Sequence, residues 1–222
     1  MFVMFCLAST PMTPKRDGCI VGLMANPSRK GKGKSRSGGP YLTGQILIAM
    51  PAMADPRFTR TVIYVVAHNK DGAMGLVLNR DAESVSFPEL LSQLGIDKAA
   101  ARSIPVRFGG PVDVTRGFVL HSTDYAPGEG TMQVTADTAM TTTLDVLKAI
   151  AGGKGPRKAL LALGYAGWGA GQLEDEVQEN AWLTCAPDDM LLFGDALEPK
   201  WRHAFDKLGI PPERLSPGFG HA

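Results

Sequence analysis

The chain is poor in cysteine, with only Cys6, Cys19 and Cys185 in 222 residues and no C-x-x-C pair among them. That spacing excludes a zinc ribbon and leaves no disulfide framework. Cys185 reads as a small buried side chain in a reducing compartment. Histidine is scarce too. His68, His121, His203 and His221 show neither H-x-H nor H-x-x-x-H spacing, so no metal and no cofactor are expected. No apolar run approaches the ~20 residues that a membrane-crossing helix needs. The apolar start, Met1 to Ala8, has no basic stretch before it and makes a poor secretory signal, so the cytoplasm is the expected location. A G-x-S-x-G elbow, a G-x-x-x-x-G-K-[ST] phosphate loop and a clean G-x-G-x-x-G are all missing.

What is present is enough apolar material, 44% of the residues, for one large domain with a real core. The formal charge of +1 is unevenly spread. Seven basic residues and Asp17 fall in residues 1–40, which carry +6, while the remainder carries −5. Residues 1–40, with Gly31 to Pro40 rich in Gly, Ser and like charge, read as a disordered basic extension or a leader from an upstream start. A mildly acidic body, residues 41–222, argues against sequence-specific nucleic-acid binding.

Within the body, Gln45–Met50, Thr61–Ala67, Ala73–Asn79, Val106–Phe108, Gly117–His121, Ala159–Leu163 and Met190–Phe193 are expected strands. The second and third form a hairpin across Asn69-Lys-Asp-Gly72. Ser86-Phe-Pro-Glu89 is a capping box opening a helix. Met140, Leu144, Leu147 and Ala151 recur at helical spacing, and Pro199 opens a last helix with Trp201, Phe205 and Leu208 on one face. Irregular interleaving of strands and helices points to an α+β fold with a mixed sheet.

Four glycines in eight residues surround Trp168, between an expected strand and the acidic, helix-patterned Glu174 to Asn180. Such a segment suggests either a phosphate cradle or a tight turn with Trp168 packed across it. Glu174, Asp175 and Glu176 would repel an anion at that helix start, which favours the turn. His121 and Ser122 are adjacent on a strand and point to opposite faces, so they do not make a nucleophile and its base. His68, Asn69, Asn79 and His121 could form a small polar site, or could close turns. His203 falls opposite the Trp201 face and is expected in solvent. Asp55-Pro-Arg-Phe58 and Arg60 form either an anion-binding loop or a surface turn anchored by Phe58.

Several stretches, in order, resemble the AlgH/YqgE family of bacterial proteins. They are Tyr41–Pro51 with Asp55–Arg60, His68-Asn69 with Gly72–Asn79, Gly109-Gly-Pro-Val112, Arg116–Ser122, Gly164–Glu174 with Asn180–Leu183, and the terminal Gly220-His-Ala222. The resemblance covers essentially all of 41–222. It implies a single domain with a mixed, barrel-like sheet flanked by helices, and cytosolic proteins largely uncharacterised, some labelled transcriptional regulators. Residues and resemblance together point first to a non-enzymatic binding or regulatory protein acting on a protein or a small ligand. The candidate ligand-binding residues are His68, Asn69, Asn79, Gly109, Gly110, His121, Gly167, Trp168 and Gly169. An enzyme or binder of a phosphorylated or nucleotide-like ligand, and a transcriptional regulator acting indirectly, are the alternatives. No catalytic residue, membrane contact or oligomeric state follows from the residues.

Overall fold

The architecture of the computed structural model turns on one long central strand. The structure describes residues 41–82, 85–96, 102–126 and 128–215; the basic extension and the terminal Gly220-His-Ala222 lie outside them. Strands β1 (Ile46–Ala49), β2 (Val62–Asn69) and β3 (Gly72–Val77) are followed by β4 (Val106–Phe108) and β5 (Val112–Ser122). Then come β6 (Thr131–Gln133), β7 (Thr138–Thr141), β8 (Ala159–Gly169) and β9 (Trp182–Cys185). They form one sheet in the order β6-β7-β5-β8-β3-β2-β1-β9, with β4 also against β8. All pairings are antiparallel except β4 with β8, so the sheet is mixed. It curls into a half-barrel in a single α+β domain.

Strand β8 changes neighbours halfway along. Its first half runs beside β4 and β5, with Val106–Phe108 opposite Leu161–Leu163 and Gly117–His121 opposite Leu163–Ala159. Its second half pairs with β3, Gly72–Gly75 opposite Gly169–Ala166. At the switch the chain leaving β4 crosses β8 backbone to backbone. A Cβ on Gly110 would lie 2.1 Å from the carbonyl carbon of Tyr165, and one on Gly164 would lie 2.4 Å from the Gly110 oxygen. Gly164 also has φ +73°, a conformation that side chains resist.

This crossing corrects one sequence expectation. The glycine-rich segment is strand as far as Gly169, and the turn is confined to Ala170 and Gly171, with φ 76° at Gly171. Met190–Phe193, expected as a strand, belongs to helix α4 (Asp189–Phe193), because the Asp188 side chain accepts from the backbone N–H of Leu191 at 2.8 Å and caps it. Met140 lies on β7, just before helix α2 (Leu144–Ala151). The capping box is present at α1 (Phe87–Gln93): Glu89 accepts from both the backbone N–H and the hydroxyl of Ser86. Helix α3 (Gln172–Gln178) links β8 to β9, and α5 (Glu198–Leu208) buries Trp201, Ala204 and Phe205.

The core has three parts. The interior of the curl, around Tyr64, Phe118 and Leu120, is closed by α4 and α5. A second cluster packs α1 and α2 on β4, β5 and β8. The third places Trp168, Leu173 and Trp182 against β1, β2 and β3. His203 is not free in solvent: its Nε2 lies 3.0 Å from Asp188, which also accepts from Lys207.

Lys200 is fully buried, and its Nζ donates to the carbonyls of Leu191 at 2.8 Å and Leu78 at 3.3 Å, joining the end of α4 to the end of the β2–β3 hairpin. Burial first, and then the nearby Arg107 charge, bring its pKa down from 10.5 to about 8.

Two outcomes follow. Gly164→Ala is expected to lose about 3 kcal/mol or more in urea denaturation, from strain and backbone overlap, whereas Gly171→Ala, with nothing within 4 Å, loses about 1 kcal/mol. For Lys200, the folded pKa lies below the unfolded one, so between the two values the unfolded chain holds more protons. Its contribution to stability therefore grows as pH rises from about 8 to 10.5. The parent protein should gain up to about 3 kcal/mol over Lys200→Met across that window, read from denaturant midpoints at each pH.

Candidate functional site

Near the second half of β8, two tryptophans face a single carboxylate. Trp168 sits one residue before the end of that strand and Trp182 opens β9; α3, which connects them, supplies Glu176. A buried indole needs an acceptor for its N–H. Glu176 Oε2 takes both, at 2.9 Å from Trp168 and 2.7 Å from Trp182. Its Oε1 accepts from Gln172 at 2.8 Å, whose own oxygen accepts from the Gly169 N–H at 3.0 Å. The rings are edge to face, 6.1 Å apart, and Phe58 adds a third ring against Trp182 at 5.7 Å.

These groups border a cavity of about 330 Å³. It is also lined by Pro111 and Val112, the residues that follow the glycine crossing, and by Met53, Ala54, Asp55, Arg57 and Phe58. The fold thus brings the Gly-Gly-Pro turn and the Trp168 segment to one place. Asp55 holds Arg57: Nη2 is 2.7 Å and Nε 3.1 Å from the carboxylate, and Asp55 also accepts the Arg57 backbone N–H. These bonds lower the Asp55 pKa. Arg60 instead lies over the Trp201 ring at 5.7 Å.

The other candidates disperse. Gly167 and Trp168 line the cavity, and Gly169 stands behind it through Gln172. Gly109 and Gly110 are absorbed in the crossing, with the Gly109 N–H donating to Leu163 at 2.7 Å and its carbonyl accepting from Val77 at 2.8 Å. His68 is buried on the neighbouring side of α3. Its Nδ1 accepts from the Leu42 N–H at 3.0 Å, which leaves the ring proton on Nε2, 3.2 Å from Glu174 without hydrogen-bond alignment. Asn69 closes the hairpin turn by accepting from Asp71. Asn79 is at the other end of that hairpin, bonded to the Val62 N–H and the Arg60 carbonyl. His121 pairs with Ala159 at the start of β8, about 30 Å along the strand from Trp168.

Near His121 the arrangement rules out nucleophilic chemistry by that pair. Its Nδ1 faces the Ser122 carbonyl at 2.9 Å and its Nε2 the Thr141 hydroxyl at 2.8 Å. Burial pushes its pKa down and keeps the ring neutral. The Ser122 hydroxyl points away, donating to Asp124 and accepting the Lys158 N–H at 3.1 Å. A second, polar cavity of about 570 Å³ opens there, lined by the pairs Arg157 with Asp124 and Lys158 with Asp189 and by the further carboxylates Asp137 and Asp188.

Neither Glu176 nor Trp182 is among the candidate binding residues that the sequence offers. A signal existed: four acidic residues between two tryptophans offer an acceptor to each indole, but only the α3 turn decides which carboxylate serves. Among the described residues no group of three or more His, Cys, Asp and Glu could hold a metal, and no helix is long and apolar enough to cross a membrane.

The sequence profile of the AlgH-like family matches residues 46–213. A UPF0301 protein of Bradyrhizobium sp. is 53% identical over 200 residues, spanning 86% of this chain and 93% of that relative. Another from Rhodospirillum rubrum is 53% identical over 183 residues, 82% of this chain and 95% of the relative. The solution structure of the AlgH protein from Pseudomonas aeruginosa is similar with TM-score 0.69 and 45% identity, covering 85% of this chain and 100% of that one. A Corynebacterium diphtheriae protein, 18% identical with TM-score 0.63 over 82% of this chain and 95% of its own, shares the fold.

Removing the shared carboxylate tests the joint itself. Glu176→Ala leaves two indole donors without their acceptor and should cost about 2 kcal/mol, while Glu176→Gln keeps an acceptor oxygen and should cost about 1. Urea unfolding followed by circular dichroism gives both values.

Proposed function

The chain belongs to the AlgH-like family, and we propose that it is a non-enzymatic binding or regulatory protein that works in the cytoplasm and recognises its ligand in the cavity beside Trp168 and Trp182. The carrying observation is the fixed wall: two buried indoles held by one carboxylate next to an open space of about 330 Å³. That size falls at the small end of ligand pockets, roughly 300–1,000 Å³. Preorganised aromatic walls reduce the entropy lost on binding. Among the described residues the lining holds Asp55, Arg57, Gln172 and Glu176 but no Ser, Thr, Cys, Lys or His, so it offers recognition groups rather than a hydroxyl, thiol or amine nucleophile with a histidine base. The cytoplasmic assignment rests on cysteine usage, three cysteines with no C-x-x-C pair.

An anionic, phosphorylated ligand is disfavoured by the same wall. Glu176 lines the cavity, and among the described residues its one lining cation, Arg57, is already bound to Asp55.

The test is a fragment and metabolite screen on the ¹⁵N-labelled protein, read at the three indole N–H signals. Ligands of this site should move Trp168 and Trp182 and leave Trp201, whose N–H donates to the Ala49 carbonyl at 2.8 Å, in place. Saturable binders that consistently leave Trp168 and Trp182 unmoved would place recognition elsewhere and end this reading.

A further inference from the structure

We infer that the cavity takes an organic cation, an ammonium or guanidinium group, with Glu176 as its counter-charge. This rests on the cavity being the binding site and adds the chemical class of what enters it.

Glu176 is half-buried and accepts three hydrogen bonds, all from neutral donors. Among the described residues no Lys, Arg or His pairs with it. A carboxylate offers about four acceptor positions, so one remains. A cation arriving from solution can take that position with a charge-assisted hydrogen bond.

The lining charge agrees. Two carboxylates, Asp55 and Glu176, stand against one guanidinium, Arg57, and that guanidinium is held by Asp55. Most of the other lining groups are aromatic or apolar, Phe58, Trp168 and Trp182 with Met53, Pro111 and Val112 among them, and aromatic surface attracts a desolvated cation. Both indole N–H edges are committed to Glu176, so the electropositive part of each ring is turned toward the carboxylate. A neutral apolar ligand would fill the same volume and leave Glu176 without a counter-ion.

The full-length ¹⁵N-labelled protein is titrated with Nα-acetyl-lysine amide, with Nα-acetyl-norleucine amide as a neutral counterpart and Nα-acetyl-glutamate amide as an anionic one. Butylammonium and butylguanidinium represent free amines rather than side chains of a peptide. The cationic probes should move the Trp168 and Trp182 indole signals saturably and bind at least about tenfold tighter than norleucine amide. In Glu176→Gln, which retains an acceptor for the indoles, that preference should vanish. Tighter binding of the lysine amide than of butylammonium identifies a peptide side chain as the source; the reverse identifies a free amine; both support the inference. It is overturned if norleucine amide or glutamate amide binds as tightly, if cations leave both indoles unmoved, or if Glu176→Gln keeps the preference. Equal binding of the neutral probe at the same indoles would remove the cation and leave the cavity standing as the binding site. The comparison of probes on the parent protein decides the matter even if the variant folds poorly.

Discussion

Two backbones must pass within contact distance where the chain leaving β4 crosses β8, and the rest of the molecule follows from that approach. In a simple twisted sheet a strand keeps the same neighbours along its length. Here β8 exchanges β4 for β3 at Gly164 and Tyr165, and the sheet curls at the exchange. The closeness has no room for a side chain, as the 2.1 Å and 2.4 Å distances from hypothetical Cβ atoms show. Curling then brings the tryptophans from two strands, separated by three others in the sheet order, to 6.1 Å. It also brings Pro111 and Val112 to the same cavity. The cavity is a consequence of the crossing, not an addition to it.

Glu176 completes the arrangement on a different principle. Helix α3 is only seven residues long and has a glycine in place of a capping side chain, so its local sequence supplies little stability. Its position comes from contacts: Leu173 is buried in the cluster with both tryptophans, and the carboxylate of Glu176 binds both indoles. The acidic first turn suits the helix dipole and takes up no basic partner within the helix. One side of α3 therefore seals the core while Glu176 presents a negative charge to the space outside.

Much of this was legible in the residues, and what was not has definite causes. Strands such as Thr61–Ala67 announced themselves by β-branched and aromatic composition, and the capping box at Ser86 by its spacing. Met190–Phe193 did not, because four apolar residues fit a buried helical turn as well as a strand, and the deciding bond is that of Asp188 to the Leu191 N–H. The glycine-rich stretch misled in a related way. Glycine signals either a turn or a close approach, and here the partner backbone, Gly109-Gly110, lies some fifty residues earlier. As for the site, Trp168 was visible as a candidate because it stands among glycines. Glu176 was hidden among like-charged neighbours, since Glu174, Asp175 and Glu176 differ only in the direction that α3 gives them. His121 and Asn79 were plausible by type alone, and only the sheet order separates them from Trp168.

The glycine segment thus carries two roles that share residues but not atoms. Its backbone makes the crossing, through Gly164, and the β3 ladder, through Ala166 to Gly169. The Trp168 side chain lines the cavity. A backbone requirement at Gly164 acts on the whole curl, because it sets the relation of β3, β4 and β5 to one another. A change at the Trp168–Glu176 bond acts on a helix that joins only β8 and β9. The curl of the sheet and the wall of the cavity are therefore set by different atoms of a single ten-residue stretch and its partner helix. The reason is physical: close approach of main chains tolerates no substitution, whereas a hydrogen bond from an indole asks only for an acceptor in the right place.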